Sequence, residues 1–200
     1  REYDGVVLSL SKLNNYEIDN EELYAEAGVK AMMLANILMK QSLSNLEFIS
    51  GIPGTMGGLV YMNAGAYKSC MQDVIKEVLV LKDDTLVWMN NEELNFSYRH
   101  SIFGDHPHWV IVAMKIKLIK KDSELIENLM ADRLLRRKAT QPLDKPSAGS
   151  TFRNPENDFA WKLIDGIGYR GYKKNGAMVS EKHSNFIINE DHGTSEDYLG

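Results

Sequence analysis

A glycine-rich stretch in the middle of the chain, GIPGTMGGLVYMNAGAY from Gly51 to Tyr67, is the first candidate for chemistry. It contains five glycines and no charged side chain. The glycine spacing matches neither the dinucleotide fingerprint G-x-G-x-x-G nor the P-loop. Such a loop can still present bare backbone amides to a pyrophosphate, especially if a helix starts after Thr55. Close packing of a helix on a strand, or turns with positive φ, would explain the same glycines, so both interpretations stay open.

The histidines do not form a metal-binding pattern. His106 and His108 flank a proline, and no Cys, Asp or Glu stands at a recognised ligand spacing from them. We therefore predict no metal site, a loop location for these histidines, and a structural role for Lys182 and His183.

The composition argues against several classes of protein. The chain has 200 residues, of which 44% are hydrophobic and 26% charged, and its net charge is −5 at pH 7. These are ordinary values for a soluble globular protein of one large or two small domains, without the basic surface of a nucleic-acid binder. The single cysteine, Cys70, allows no internal disulfide, which suits a reducing compartment. No run of about 18 apolar residues predicts a membrane span.

Local patterns predict the elements that must position these residues. Strands are predicted at 5–10, 21–28 and 109–119, and a hairpin with an Asp-Asp turn at 74–90. A helix at 29–42 is apolar nearly all round and is therefore expected to be buried. The five methionines from Met32 to Met62 are expected to fill the core.

The second half of the chain has a different composition. Apolar residues at helical spacing predict a helix at 122–139, which Ser123 could cap. A further helix is predicted at 158–165 and a strand at 185–189. We place a domain boundary near residue 121.

Four segments together resemble one family. The glycine-rich stretch is similar to the flavin-binding signature of the UDP-N-acetylenolpyruvoylglucosamine reductases, also called UDP-N-acetylmuramate dehydrogenases. SYRHSIF (97–103), QPLDKPSAGSTFRNP (141–155) and GAMVSEKHSNFIIN (176–189) resemble the family's Y-R-x-S, P-S-x-G-S-x-F and V-S-x-K-H-x-x-F-x-x-N segments, in the same order. The short interval between Ile119 and Gln141 is similar to the branch of the family that lacks a tyrosine-loop insertion.

The resemblance implies that FAD lies against the glycine-rich backbone. NADPH would reduce FAD, which would pass a hydride to UDP-N-acetylglucosamine enolpyruvate and give UDP-N-acetylmuramate for peptidoglycan. The residues implied for cofactor binding are Gly51, Ile52, Pro53, Gly54, Thr55, Gly57, Gly58, Asn63, Ala64 and Gly65.

The resemblance also implies two catalytic residues, Arg99 and Ser150. Arg99 would face the substrate carboxylate, because a guanidinium is permanently charged and can pair with a carboxylate at two points. Ser150, preceded by Gly149, would donate a proton to the carbon that takes no hydride. The ordinary alternatives are a surface salt bridge for the arginine and a turn cap for the serine. If the segment around Arg99 is extended, Arg99 and Ser101 share one face.

Tyr98 and Asn154 are implied as substrate-binding residues, with Asn154 at the diphosphate. The lysine that often precedes the Gln-Pro pair in the family is replaced by Thr140, so diphosphate binding is expected to be rearranged or weaker. Lys68 and Trp161 stand where the family usually has glycine.

The predicted fold class is α+β. Residues 1–120 are expected to form part of a two-lobed FAD-binding domain of the PCMH type, and residues 121–200 a smaller α/β substrate-binding domain. The chain begins at Arg1 and ends at TSEDYLG. We expect a fragment cut at both ends, without the family's Gly-Ser-Asn phosphate loop and C-terminal catalytic glutamate, and therefore inactive alone.

The expected partners are NADPH and the UDP-linked enolpyruvyl sugar, with no nucleic acid and no membrane insertion. We expect a cytoplasmic monomer. Two alternatives stay open: another FAD oxidoreductase of the same superfamily, and an inactive nucleotide-binding relic.

Overall fold

The structure is a computed structural model, and it describes residues 4–199. Contacts divide the chain into two units, residues 1–132 (unit 1) and 133–200 (unit 2). Each unit is described by itself.

Unit 1 combines one large antiparallel sheet with helices and short strand pairs. Its strands and helices, in chain order, are β1 (Tyr16–Asp19), β2 (Glu22–Glu26), α1 (Ala31–Lys40), β3 (Leu43–Ser44), α2 (Met56–Tyr61), β4 (Gly65–Ala66), β5 (Ser69–Cys70), β6 (Ile75–Lys82), β7 (Thr85–Asn90), β8 (Val110–Lys117), β9 (Ile119–Lys120) and the start of α3 (Ser123–Thr140). Short 3₁₀ turns lie at Glu47–Ile49, Met71–Asp73, Asn91–Leu94 and Ile102–Gly104.

The large sheet has the strand order β1-β2-β8-β6-β7, and every neighbouring pair is antiparallel. Alternation directs Leu23 and Ala25 of β2 into the core and leaves Tyr24 outside. The β6–β7 hairpin turns at Asp83 and Asp84, both with positive φ. This is the backbone that a two-residue hairpin of type I′ requires. The predicted hairpin with its Asp-Asp turn is therefore confirmed.

Helix α1 is amphipathic, which corrects the prediction of a helix buried all round. Ala31, Leu34, Ala35 and Leu38 are buried, whereas Met32 and Met33 are each 44% exposed. Of the five methionines from 32 to 62 that were expected to fill the core, Met56 is buried, and Met39 and Met62 are half-buried. Four methionines later in the chain are also buried, Met71, Met89, Met114 and Met130.

The predicted strand at 5–10 is wrong. Residues 5–10 contain no strand, and Val6 is 92% exposed. An apolar run is not sufficient for a strand, since its backbone groups need a neighbouring strand to bond. This run pairs with no strand among residues 4–199.

The predicted cap of α3 is also wrong. Oδ1 of Asp122, not Ser123, accepts hydrogen bonds from the backbone N–H groups of Glu124 and Leu125, at 2.8 and 3.4 Å. Asp122 therefore satisfies two of the free amides at the helix start. The helix itself begins and ends close to the predicted positions.

Unit 2 is a small antiparallel sheet with two short helices. After α3 its elements are β10 (Ser147–Ser150), α4 (Ala160–Gly166), β11 (Lys173–Lys174), β12 (Ala177–Val179), β13 (Phe186–Asn189) and α5 (Ser195–Leu199). The strand order is β10-β13-β12-β11. The mixture of helices and antiparallel strands in the two units confirms the predicted α+β class. The division of contacts falls inside α3, and the domain boundary near residue 121 stays a prediction.

Candidate active site

The glycine-rich loop is fastened to the connection between β2 and α1. Gly54 O accepts from Ala31 N at 3.2 Å, Met56 N donates to Val29 O at 2.9 Å, and Gly57 N donates to Ala27 O at 2.9 Å. The predicted helix start after Thr55 is confirmed by α2. Two of the amides offered to a pyrophosphate, those of Met56 and Gly57, are therefore bonded within the protein.

The requirement for glycine differs between the positions of this loop. A Cβ on Gly57 would lie 2.8 Å from Cβ of Ala27, so this glycine is required by the close packing of α2 on the connection that follows β2. Gly54 has φ +135° and open space around it. A Cβ on Gly58 would meet only Oγ1 of Thr55 at 3.7 Å, and this residue is exposed. Packing explains Gly57, but nothing among the described residues requires a glycine at position 58.

A cavity of about 330 Å³ opens beside Gly57 and Gly58. Its other lining residues are Leu8, Leu10, Ala27, Thr55, Tyr61, Trp109, Val110 and Ile111. The Trp109 ring stacks on the His106 ring, with centroids 4.0 Å apart, and lies 4.2 Å from Nζ of Lys82. The cavity thus has bare backbone and a fixed indole in its lining, which suits a flat ligand. Tyr61 and Trp109 were not predicted as site residues; their aromatic type at the edge of an element was the available signal.

The second part of the flavin-like signature, residues 63–66, is held by its own hydrogen bonds. Nδ2 of Asn63 donates to Ser97 O and its Oδ1 accepts from Gln72 N, both at 3.0 Å. Asn63 and Ala64 are buried, and a Cβ on Gly65 would lie 2.6 Å from Ser69 O. Contact of these three residues with FAD stays a prediction. The amide of Asn63 joins two chain segments.

Arg99 lies on a tight turn, not on the extended segment considered from the sequence. Ser97 N donates to His100 O at 3.1 Å and His100 N donates to Ser97 O at 3.2 Å, closing the turn. Arg99 has φ +56°, so it does not share a strand face with Ser101. Tyr98 is exposed, and the Arg99 guanidinium lies 5.3 Å from the centre of its ring.

The turn brings Arg99 to the flavin-like signature. Its Nη2 donates to Gly65 O at 2.9 Å. Oγ of Ser101 is fully buried and donates to Tyr61 O at 2.6 Å. Two predicted groups, Arg99 and the 63–65 segment, are therefore in direct contact. Ser101 was missing from the predicted site, because only the fold shows that its hydroxyl reaches the end of α2.

Ser150 follows a bulge in unit 2. Ser147 pairs with Ile188 and Ser150 with Phe186, so β10 has one residue more than β13 between the two pairs. Gly149 takes the left-handed φ of +85° within this bulge. Ser150 is exposed, and its hydroxyl makes no hydrogen bond to residues 4–199. The bulge thus presents a hydroxyl that is free to donate.

Asn185 fixes the segment that follows Ser150. Its Oδ1 accepts from Phe152 N at 2.9 Å, and its Nδ2 donates to Phe152 O at 2.8 Å. Asn185 O also accepts from Thr151 N at 2.8 Å. The buried side-chain amide of Asn185 thus makes the two hydrogen bonds to Phe152 that a neighbouring strand would make if β10 continued. Its place in the HSNF sequence was the only signal for this role.

Asn154 caps α4 and keeps a free donor. Its Oδ1 accepts from Ala160 N at 3.1 Å, while its Nδ2 has no partner among the described residues. Oγ1 of Thr140 donates to Arg136 O at 2.8 Å, so the hydroxyl continues the helix hydrogen bonding of α3. The next residue, Gln141, has a buried Oε1 without a partner in residues 4–199.

A charged pair supports the loop between α4 and β11. Arg170 bonds both carboxylate oxygens of Asp165, and this hydrogen bonding holds the pKa of Asp165 below its usual range. Burial lowers the pKa of His183, whose Nδ1 accepts from Asn185 N at 3.2 Å. Burial thus favours the neutral form of the ring, which accepts the backbone N–H of Asn185.

Residues 4–199 contain no cluster of three or more His, Cys, Asp or Glu side chains arranged to hold a metal ion. None of the helices within this range is long and apolar enough to cross a membrane.

Each unit contains a segment that matches a known domain family. Residues 1–90 match the family "FAD binding domain", and residues 141–200 match "UDP-N-acetylenolpyruvoylglucosamine reductase, C-terminal domain". These matches confirm FAD as the cofactor. Its binding by the glycine-rich loop stays a prediction.

Curated relatives carry the same name. The chain is 45% identical to the UDP-N-acetylenolpyruvoylglucosamine reductase of Caldanaerobacter subterraneus, over 98% of this chain and 65% of that protein. It is 42% identical to the reductase of Limosilactobacillus reuteri, over 98% of this chain and 66% of the relative. The chain thus spans slightly less than two thirds of the length of these curated relatives.

A crystal structure extends the likeness to the fold. The UDP-N-acetylenolpyruvylglucosamine reductase of Thermus caldophilus superposes with a TM-score of 0.84 at 34% identity, covering 94% of this chain and 68% of that one. The two domain matches and the likeness in fold point to the same family. The chain belongs to the UDP-N-acetylenolpyruvoylglucosamine reductase family.

Proposed function

We propose that the protein reduces UDP-N-acetylglucosamine enolpyruvate to UDP-N-acetylmuramate, with NADPH as hydride donor and FAD as cofactor. The observation that carries this proposal is the bond between Nη2 of Arg99 and Gly65 O, which places a permanent cation at the flavin-like signature. The process would be peptidoglycan precursor synthesis, and through it cell-wall biogenesis, cell shape and division. Action as a cytoplasmic monomer belongs to the same proposal.

The loop fits a dinucleotide that approaches its backbone. Bound FAD supplies the hydride relay between the nicotinamide and the substrate. A Cβ at position 58 would meet only Oγ1 of Thr55, at 3.7 Å, and the backbone N–H groups of Thr55 and Gly58 have no partner within residues 4–199. These groups would hold the cofactor, beside the cavity lined by Tyr61 and Trp109.

Arg99 would stabilise the charge that develops on the substrate carboxylate. One N–H of its guanidinium is used on Gly65 O, and the others remain for two-point pairing with a carboxylate. Because such a cation is fixed before the reaction, it needs little reorganisation in the transition state. Loss of one such group typically slows the chemical step by about 10²–10³-fold.

Ser150 would donate the proton to the carbon that takes no hydride. Its hydroxyl is exposed and makes no bond to the described residues, so none has to be broken before transfer. The bulge at Gly149 and the Asn185 clamp fix the backbone on either side. A serine is a weak acid, and this role requires a strongly basic carbon centre.

Asn154 and Tyr98 would bind the substrate. The free Nδ2 of Asn154 is a donor, which suits the oxygen atoms of a diphosphate. Thr140 is bonded to the helix backbone and supplies no cation. We propose that diphosphate binding relies on Asn154 and is weaker than in relatives that have a lysine here.

An anaerobic flavin titration of the protein expressed from its complete gene tests the proposal. The visible flavin band should bleach with NADPH and return on addition of UDP-N-acetylglucosamine enolpyruvate. Arg99→Ala should leave the bleaching unchanged and slow the return about 10²–10³-fold.

Other outcomes identify the competing functions. Bleaching without return would contradict the proposed substrate and favour another FAD oxidoreductase. Absence of bound flavin would favour an inactive relic.

A further inference from the structure

Three side chains fasten the turn that carries Arg99 to the flavin-like signature. Asn63 donates to Ser97 O at 3.0 Å, Arg99 to Gly65 O at 2.9 Å, and Ser101 to Tyr61 O at 2.6 Å. The bonds cross between residues 61–65 and residues 97–101, more than thirty positions apart in the chain. The two segments therefore form one hydrogen-bonded unit.

The bond from Ser101 ends on a group that needs a partner. Tyr61 is the last residue of α2, and carbonyl groups in the last turn of a helix have no partner within the helix. The Ser101 hydroxyl supplies one in a fully buried position. The start of the Arg99 turn is fixed in the same way by Asn63, which is 4% exposed.

The conformation of Arg99 requires such support. A φ of +56° is one that residues other than glycine and asparagine rarely adopt. A side chain in this region persists when the surroundings hold it there, and such positions concentrate at functional sites. Asn63 and Ser101 hold the two ends of the turn from buried positions, and both polar atoms of the Asn63 side chain are bonded within the protein.

We infer that Asn63 and Ser101 are positioning residues, which set the direction in which Arg99 presents its guanidinium. They act on the reaction only through Arg99. This inference rests on the proposed function for the role of Arg99, but the mechanical part of it is independent of any reaction.

Limited trypsin digestion tests the mechanical part. Ser101→Ala removes one bond, and Asn63→Asp replaces the donor to Ser97 O by an oxygen while keeping the acceptor for Gln72 N. Each should raise cleavage at the Arg99–His100 bond about tenfold relative to cleavage after Arg137, because opening of the turn becomes easier. Ser184→Ala is the matched control, since its buried hydroxyl donates to Trp161 O at 2.8 Å in unit 2. An unchanged cleavage ratio in both variants would overturn the inference.

A double-mutant cycle tests the catalytic part by stopped-flow spectroscopy. Ser101→Ala should slow reoxidation of the flavin by the enolpyruvyl substrate about tenfold and leave reduction by NADPH unchanged. In the Arg99→Ala background the same change should have no further effect, because coupled residues are not additive. Additive effects, or equal slowing of both half-reactions, would contradict the inference. If the unaltered protein is not reoxidised by this substrate, the proposed function fails, and the digestion ratio still decides whether the turn is held by these two residues.

Discussion

Gly57 and Gly58 are neighbours with different physical requirements, and substitution can separate them. Gly57→Ala would place Cβ 2.8 Å from Ala27 Cβ, so we expect a loss of about 1–3 kcal/mol in unfolding free energy from overpacking. Gly58→Ala meets only Thr55 Oγ1 at 3.7 Å, and the higher helix propensity of alanine should stabilise by up to about 1 kcal/mol.

For FAD affinity we expect the opposite order, with Gly58→Ala as the more harmful of the two substitutions. The new Cβ at position 58 enters the space proposed for the cofactor, and we expect binding to weaken about tenfold or more, which corresponds to about 1.4 kcal/mol. Urea denaturation and flavin fluorescence titration of both variants measure the two effects. Unchanged affinity in Gly58→Ala would remove position 58 from the cofactor site.

His183 should make stability depend on pH. Burial lowers its pKa in the folded protein, so the unfolded chain binds the proton more readily. Stability from this group is therefore fully present above the unfolded pKa, about 6.5, and is lost as pH falls from there toward the folded pKa. His183→Asn keeps an acceptor for Asn185 N and should flatten this slope. His192→Asn, which removes a histidine at an exposed position with positive φ, is the matched control. Urea midpoints between pH 7.5 and 5 measure both.

At the scale of elements, the β4–β5 hairpin turns on two residues with left-handed backbone. Tyr67 and Lys68 have φ values of 55° and 65°, the conformation in which glycine is favoured at the second position. Lys68→Gly should raise the unfolding free energy by about 0.5–1 kcal/mol, because strain is relieved at some cost in chain entropy. Lys68→Ala removes the charge but not the strain, and should leave stability within about 0.5 kcal/mol. Thermal melts of the two variants decide whether conformation or charge matters.

The sequence predicted correctly the elements that are determined by neighbouring residues. It failed for features that depend on contacts with other parts of the chain. Alternation and an Asp-Asp turn lie within the β6–β7 hairpin itself, so its position was correct. The run 5–10 has the right residues for a strand, but a strand also needs a partner. At the start of α3, Asp122 and Ser123 are both acceptable caps, and only geometry selects between them.

The same distinction holds for the candidate site. The glycine loop and the Arg99 motif could be recognised by their order along the chain. The turn at Arg99 could not, because a left-handed arginine contradicts local preference and is maintained by Asn63 and Ser101 from other parts of the sequence. Tertiary contacts override propensity at such positions.

At the scale of the whole molecule, the core of unit 1 continues into α3. Ile126 and Met130 are buried in that core, beyond the predicted boundary near residue 121. Ile126→Ala should therefore destabilise by about 2–5 kcal/mol through transfer and cavity terms. Leu135→Ala, on the same helix at 67% exposure, should change stability by less than about 0.5 kcal/mol.

Hydrogen exchange of backbone amides shows which unit Ile126→Ala destabilises. Amides of β6 and β8 should lose protection in Ile126→Ala, since their side chains share the core with Ile126. Retained protection in these strands would place the start of α3 outside the stable part of unit 1.

The bonds that hold the Arg99 turn all run from a side chain to a main-chain oxygen. Every donor is therefore chemically specified, whereas the acceptors at Tyr61, Gly65 and Ser97 offer an atom that any residue carries. During evolutionary divergence, selection should restrict the residue types at positions 63, 99 and 101. It should allow many residue types at positions 61 and 97. Gly65 is the exception, because Ser69 O leaves no room for a side chain there. The Arg99 turn can thus keep its geometry while the surface around it diversifies.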